Sequence, residues 1–227
     1  ARLSHAIRRS QDYLLSQQHA EGFWVGELEA NTTLTSEYVL FRHLIGHVDV
    51  VREQKCVRYL FSQQQADGGW NLYYGGPSEL STTIEAYFAA RVAGVAPHEP
   101  AMRRARRCIL AQGGVARARV FTKIFLALFG QYDWRGIPII PPEIIFLPRS
   151  FYINVYEFSS WSRSVIVPLS IVFAKKPLCP LPRGRHIDEL FVEPPGPARY
   201  AMPVRERGLN WRTFFVLLDS LLKRSER

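Results

Sequence analysis

Residues 59–70 read Tyr59-Leu60-Phe61-Ser62-Gln63-Gln64-Gln65-Ala66-Asp67-Gly68-Gly69-Trp70, and residues 13–24 read Tyr13-Leu14-Leu15-Ser16-Gln17-Gln18-His19-Ala20-Glu21-Gly22-Phe23-Trp24. Both fit the frame Tyr-Leu-x3-Gln-x3-Gly-x-Trp, and each fixed position recurs 46 residues on. Agreement at so many spacings announces an internal repeat. An apolar helical pattern precedes each Gln: Leu3, Ala6, Ile7 and Leu14 in one copy, Cys56, Val57, Leu60 and Phe61 in the other. The Gly is expected at the helix end, in the left-handed conformation it tolerates best. The Gln is expected to satisfy orphan backbone groups there or to lie on the indole, whose one N–H also needs a partner. Gln18, Gly22 and Trp24, and Gln64, Gly68 and Trp70, therefore read as structural clamps.

A second helix follows each clamp. Residues 32–44 carry Leu40, Phe41 and Leu44 on one side, and residues 82–92 carry Ile84, Tyr87, Phe88 and Val92. Ser or Thr before each is an N-cap signal. Glu37 and Glu85 read as early-helix carboxylates favoured by the macrodipole. Residues 108–114 look like a worn third copy without the Trp, and residues 120–129 predict a helix bearing Val120, Phe121, Ile124, Phe125 and Leu128.

The chain has 227 residues, 47% of them hydrophobic and 13% aromatic, enough for one large core or two small ones. No apolar run reaches the ~18 residues of a spanning helix, and the first residues form an amphipathic pattern rather than an apolar signal core. Cys56, Cys108 and Cys179 are scattered with no CxxC, which argues for a reducing compartment and against structural zinc. Net charge is +9, from 29 basic and 20 acidic residues. The arginines at 103, 104, 106 and 107 form one basic cluster. No nucleic-acid motif accompanies this charge, so nucleic acid is not expected as a partner; an anionic membrane surface is the other common reason for it.

The character changes after Gly136. Four prolines between Ile137 and Pro148 preclude a regular helix, but the intervening apolar residues demand an ordered, packed loop. Residues 151–173 predict one or two helices interrupted at Pro168. Residues 175–200 hold six prolines and predict an extended, mobile stretch. In residues 208–227, Trp211, Phe214, Leu217, Leu218, Leu221 and Leu222 follow helical spacing, Phe215 widens the stripe, and basic residues flank it. This is the pattern of an interfacial membrane helix, and equally that of a core helix.

Catalytic constellations are scarce. His43 and His47 have the spacing of a helical metal pair but no third ligand or HExxH order. No GxSxG, P-loop or dinucleotide fingerprint occurs. The six aspartates are isolated from one another, so no paired-carboxylate acid is visible.

The two Gln-x3-Gly-x-Trp copies resemble the QW motifs of triterpene cyclases. The stretch Gly75-Gly76-Pro77-Ser78-Glu79-Leu80-Ser81-Thr82-Thr83-Ile84-Glu85-Ala86-Tyr87 resembles bacterial squalene–hopene cyclases. So do Gln112-Gly113-Gly114 leading to Arg119-Val120-Phe121-Thr122, Ile140-Pro141-Pro142-Glu143, and Tyr156-Glu157-Phe158-Ser159-Ser160-Trp161-Ser162-Arg163. The resemblance implies an all-α fold, an α/α barrel (toroid) of the terpene cyclase type, incomplete in this chain. It implies proton-initiated polycyclisation of squalene to hopene, with no metal or organic cofactor, by a monotopic enzyme on the cytoplasmic face of the bacterial inner membrane. The family's proton donor is a DxDD motif in the C-terminal half. This chain is expected to be an N-terminal portion that stops before it and is inactive alone.

By position, the resemblance makes Trp161 an indole of the substrate cavity, where an aromatic face stabilises a carbocation. It makes Phe158 and Ile166 residues that narrow the channel. Arg119 and Phe121 match a motif-embedded pair, with Arg119 at the far end of the cavity, at the domain interface, or in a structural ion pair. Trp211, Phe214, Phe215 and Leu218 match the membrane-dipping helix. The implied partners are squalene or a related isoprenoid, a membrane surface, the C-terminal remainder of the cyclase and, in a homodimer, a second copy. The implied division is residues 1–30 as the start of the catalytic barrel, 31–182 as an inserted α/α domain, 183–207 as a proline-rich connection and 208–227 as the membrane-facing helix. The alternatives are a non-catalytic α/α module that binds lipid or membrane, and a protein prenyltransferase β subunit, whose Asp, Cys and His zinc ligands this cysteine spacing does not offer.

Overall fold

The computed structural model describes residues 2–26, 30–152, 154–193 and 223. The chain divides into two compact units, Ala1–Ala30 and Asn31–Arg227. The first holds α1 (Arg2–Ser16) and its following turn. The second holds α2 (Thr32–Leu44), α3 (Val50–Ser62), α4 (Leu80–Val92), α5 (Pro100–Ala111), α6 (Val120–Leu128) and α7 (Ser160–Lys175), joined by loops and short 3-10 turns. The only β pairing among the described residues is an isolated bridge between Asn71 and Ser78. The fold is all-α. Trp211, Phe214, Phe215 and Leu218 lie outside the described residues.

The two clamp segments make the same hydrogen bonds. The indole Nε1 of Trp24 donates to the Leu14 carbonyl at 2.6 Å, and that of Trp70 to the Leu60 carbonyl at 2.7 Å. Gln18 Nε2 donates to the Gly22 carbonyl and Gln64 Nε2 to the Gly68 carbonyl, each at 2.8 Å. The expected roles are thus exchanged. The tryptophan N–H adds a second donor to a carbonyl in the last helical turn, which also accepts from Gln17 N or Gln63 N, and the glutamine closes the turn beyond it. The glycines do not end the helices, which stop at Ser16 and Ser62; they close the turns with φ of 89° at Gly22 and 92° at Gly68. The copies differ in burial: Trp24 is 50% exposed and Trp70 1%. Around the second clamp, Gln64 Nε2 also donates to the Ala101 carbonyl at 2.9 Å, and Arg104 donates to Gln64 Oε1 at 2.9 Å. α5 is thereby seated on the clamp.

α4 is the centre of the second unit, packed against α2, α3, α5 and α6. All thirteen of its residues are buried. It has no amphipathic stripe, and its buried polar residues Ser81, Thr82, Thr83, Glu85 and Arg91 are spread around it. The helix starts differ from the cap signals read in sequence. Asn31 caps α2 by accepting from Thr33 N, and Glu79 caps α4 by accepting from Thr82 N at 2.8 Å. α2 buries Thr32, Ser36, Val39 and Leu40, while Phe41 and Leu44 stay largely exposed. In α6 the buried stripe starts at Thr122, leaving Val120 and Phe121 at an exposed end. α1 buries none of its residues.

After Gly136 the proline-rich loop forms only a 3-10 turn at Pro142–Phe146, against which α7 packs. α7 runs through Pro168 as one helix and is anchored by Phe173, edge-on to Trp134 at 5.5 Å. The segment expected to be mobile is instead held through residues 184–190. The buried Arg91 donates to the carbonyls of Gly184 and His186, Ile187 N donates to Gln131 Oε1 at 3.1 Å, and Tyr87 donates to Glu189 at 2.7 Å. Ile187 and Leu190 are fully buried. Buried polar groups need partners, and this strap supplies the carbonyls that Arg91 requires.

A Cβ added to Gly68 would meet the Arg104 backbone at 2.5 to 2.7 Å, whereas at Gly22 the nearest atom is 4.0 Å away. Gly22→Ala is expected to cost only the left-handed backbone term, about 1–2 kcal/mol. Gly68→Ala adds overpacking of about 1–3 kcal/mol against α5. Urea unfolding of the two variants measures the difference; equal losses would show that α5 is not seated on this glycine.

Candidate functional site

The starts of α4 and α6 are joined by one carboxylate. Trp70, the end of the buried clamp, accepts a hydrogen bond from Glu79 N at its carbonyl, 2.8 Å away, which sets where α4 begins. Glu79 Oε2 then accepts from Thr82 N at 2.8 Å, from Thr82 Oγ1 at 3.0 Å and from the Arg119 guanidinium at 3.2 Å. Arg119 is the N-cap residue of α6, and its backbone N–H donates to Ser81 Oγ at 2.9 Å. Arg119 therefore makes the structural ion pair that was one of its sequence readings, half-exposed at the end of the helices.

Glu85 lies one and a half turns inside α4 and is 3% exposed. Its Oε1 accepts from Thr122 Oγ1 at 2.5 Å, and its Oε2 has no hydrogen-bond partner among the described residues. Burial pushes its carboxyl up to about 7, with the negative charges of Glu37 and Glu79 adding to the rise and Thr122 and Arg119 opposing it. Glu37, half-buried on α2, is also raised by burial and lowered by Arg119. Glu79 pairs with the Arg119 guanidinium, and Glu37 and Glu85 feel its charge. The macrodipole reading of Glu37 and Glu85 is corrected: neither α2 nor α4 has an acidic residue in its first turn. A carboxyl near neutrality with one unengaged oxygen can donate a hydrogen bond or take a proton.

The residues singled out in sequence fall in two groups. Arg119 and Phe121 open α6, Phe121 being 55% exposed. Phe158 immediately precedes the Ser159 cap of α7, Trp161 is in its first turn and 76% exposed, and Ile166 is half-buried farther along. His43 is paired with Glu53 across α2 and α3.

The chain matches the family described as squalene-hopene cyclase N-terminal domain over residues 7–227. It belongs to that family. Among curated relatives it is 43% identical over 226 residues to a dammaradiene synthase of Dryopteris crassirhizoma, covering 99% of this chain and 33% of that protein. It is 45% identical over 196 residues to a squalene–hopene cyclase of Alicyclobacillus acidocaldarius, covering 86% of this chain and 31% of the relative. It is 43% identical over 222 residues to that of Zymomonas mobilis, covering 97% and 33%. The chain spans about a third of the length of these relatives. The matched family is an N-terminal domain, and the curated relatives the chain resembles are cyclases and a synthase.

Sequence reasoning missed Glu37, Glu79 and Glu85 as a cluster. The available signal was α4 itself: a helix without a polar face is buried, and a Glu inside it needs an explanation beyond the dipole. Glu85 holds its proton more tightly folded than unfolded, so its contribution to stability is fullest below about pH 4.5 and is lost as pH rises through about 7. Glu85→Gln is expected to flatten this fall, which amounts to up to ~3 kcal/mol. Urea unfolding on either side of the window measures it; an unchanged slope in the variant would assign the pH dependence to another group.

Proposed function

We propose that this chain is the cavity-shaping N-terminal part of a squalene–hopene-type cyclase, with residues 31–182 as the inserted α/α domain. Family membership along nearly the whole chain supports this reading, and the Glu37–Glu79–Glu85–Arg119 cluster carries it furthest. Protonating an isolated alkene needs a strong acid, and a carboxyl held near 7 is weaker than an ordinary one. Glu85 is therefore not the initiating acid. A group of carboxylates beside one arginine instead favours positive charge nearby, as the terminus of a cationic cascade requires. Trp161, a large exposed indole, is proposed to face a carbocation, and Phe158 and Ile166 are proposed to narrow the channel. The 227 residues contain no DxDD, so initiation is assigned to the C-terminal half of such a cyclase.

Trp211, Phe214, Phe215 and Leu218 are proposed to dip into a membrane interface, holding the protein as a peripheral, monotopic one. Among the described residues, no helix is long and apolar enough to cross a membrane. The relatives come from a fern, bacteria and fungi, and a cytoplasmic bacterial face is proposed only for the bacterial case. The competing reading is a non-catalytic α/α module that binds lipid.

Squalene incubated with this polypeptide is expected to give no hopene by gas chromatography; detectable product would place the initiating acid within these residues. The double change Phe214→Ser and Phe215→Ser is expected to lower co-sedimentation with vesicles at least several-fold. Undiminished sedimentation would remove the terminal segment from the membrane contact.

A further inference from the structure

The α5 helix presents an unusual surface. Its sequence holds four arginines in five positions and no acidic residue. Met102, Ala105, Cys108 and Ile109 point into the core, which forces the arginines outward. Pro100, Arg103, Arg104, Arg106, Arg107 and Leu110 line an open cleft of about 540 Å³. Two of the arginines are held in place. Arg104 donates to Gln64 Oε1 at 2.9 Å, and Arg106 donates through Nε to the Glu189 carbonyl at 3.1 Å. Both of those acceptors are uncharged. None of the four lies within ion-pair distance of a carboxylate among the described residues.

Such a row is costly without a counter-charge. Arg103 and Arg107 are one helical turn apart, about 6 Å along the axis, and like charges at this spacing repel. Guanidinium groups match phosphate oxygens in paired, planar hydrogen bonds. We propose that the α5 cleft is a docking site for the phosphate headgroups of an anionic phospholipid surface. It goes beyond the proposed contact of the terminal segment, since it lies on α5 and uses charge rather than apolar insertion. Pro100 and Leu110 frame the arginine row with apolar surface, which suits the boundary between headgroup and acyl chain. Among the described residues no aromatic side chain lines the cleft, so they offer no stacking platform of the kind a single-stranded nucleic acid would use. A row of four donors is also longer than one free phosphate.

The test is co-sedimentation of the whole chain with phosphatidylcholine vesicles, with and without phosphatidylglycerol. The double variant Arg103→Gln and Arg107→Gln is compared with Lys55→Gln and Arg58→Gln on α3, which removes the same charge elsewhere. All four residues are exposed, and far-ultraviolet circular dichroism checks that both variants keep their helices. The α5 variant is expected to lose roughly 30-fold in partitioning onto phosphatidylglycerol vesicles, with a small loss for the α3 variant and none on phosphatidylcholine alone. Millimolar inorganic phosphate is expected to leave binding in place. Equal losses in the two variants would reduce the effect to net charge and overturn the site. Full competition by inorganic phosphate would make it a free-anion site, and an α5-dependent gel shift of single-stranded RNA with no vesicle effect would make it a nucleic-acid site; either overturns the proposal. The Phe214→Ser, Phe215→Ser chain separates this from the terminal segment, because the α5 effect is expected to persist in that background.

Discussion

The hydrogen bond from the Trp70 indole to the Leu60 carbonyl, 2.7 Å long and sealed from water, is the constraint on which the second unit is built. It ties the end of α3 to a turn closed by Gln64 and Gly68. Because Gly68 has no side chain, the α5 backbone can rest on that turn. The carbonyl of Trp70 then takes the Glu79 N–H, and its N–H meets Thr83 Oγ1 at 3.0 Å. One residue therefore fixes the end of one helix and the start of the next. Burial makes these bonds consequential, since an unpaired indole N–H or carbonyl in the core has no water to fall back on.

The polar cluster descends from this clamp. Trp70 sets Glu79, Glu79 caps α4 and pairs with Arg119, and Arg119 starts α6. α6 in turn presents Thr122 to Glu85. The charged groups are thus held by scaffold that was fixed first. The cost is concentrated at Glu85, a carboxyl in a fully buried helix with one oxygen unengaged. Folded proteins keep such groups where they serve a site, and the raised proton affinity follows from burial rather than from any single neighbour.

The legible and illegible parts of the chain separate along physical lines. The two clamps were legible because their bonds join residues four and ten apart, and such local bonds leave a fixed spacing. The helices α2 and α6 were legible within a residue for the same reason. The start of α4 was misplaced by two residues because Glu79, not a Ser or Thr, supplies the cap. Residues 175–200 looked mobile because proline content signals irregular backbone, which is a different matter from loose packing. The order of residues 184–190 depends on Arg91, more than ninety residues away in sequence.

By itself, the sequence determined the helical repeat, the family and the identity of the clamp residues. These rest on short-range spacing and on motif identity, which a linear chain displays directly. Only the tertiary structure decided that Glu85 is buried, that Arg119 pairs with Glu79, and that α5 turns four arginines to one outer surface. Burial and charge pairing depend on which helices surround a residue. α4 carries no amphipathic stripe to say how completely α2, α3, α5 and α6 enclose it. Its lone carboxylate becomes a perturbed group once they do.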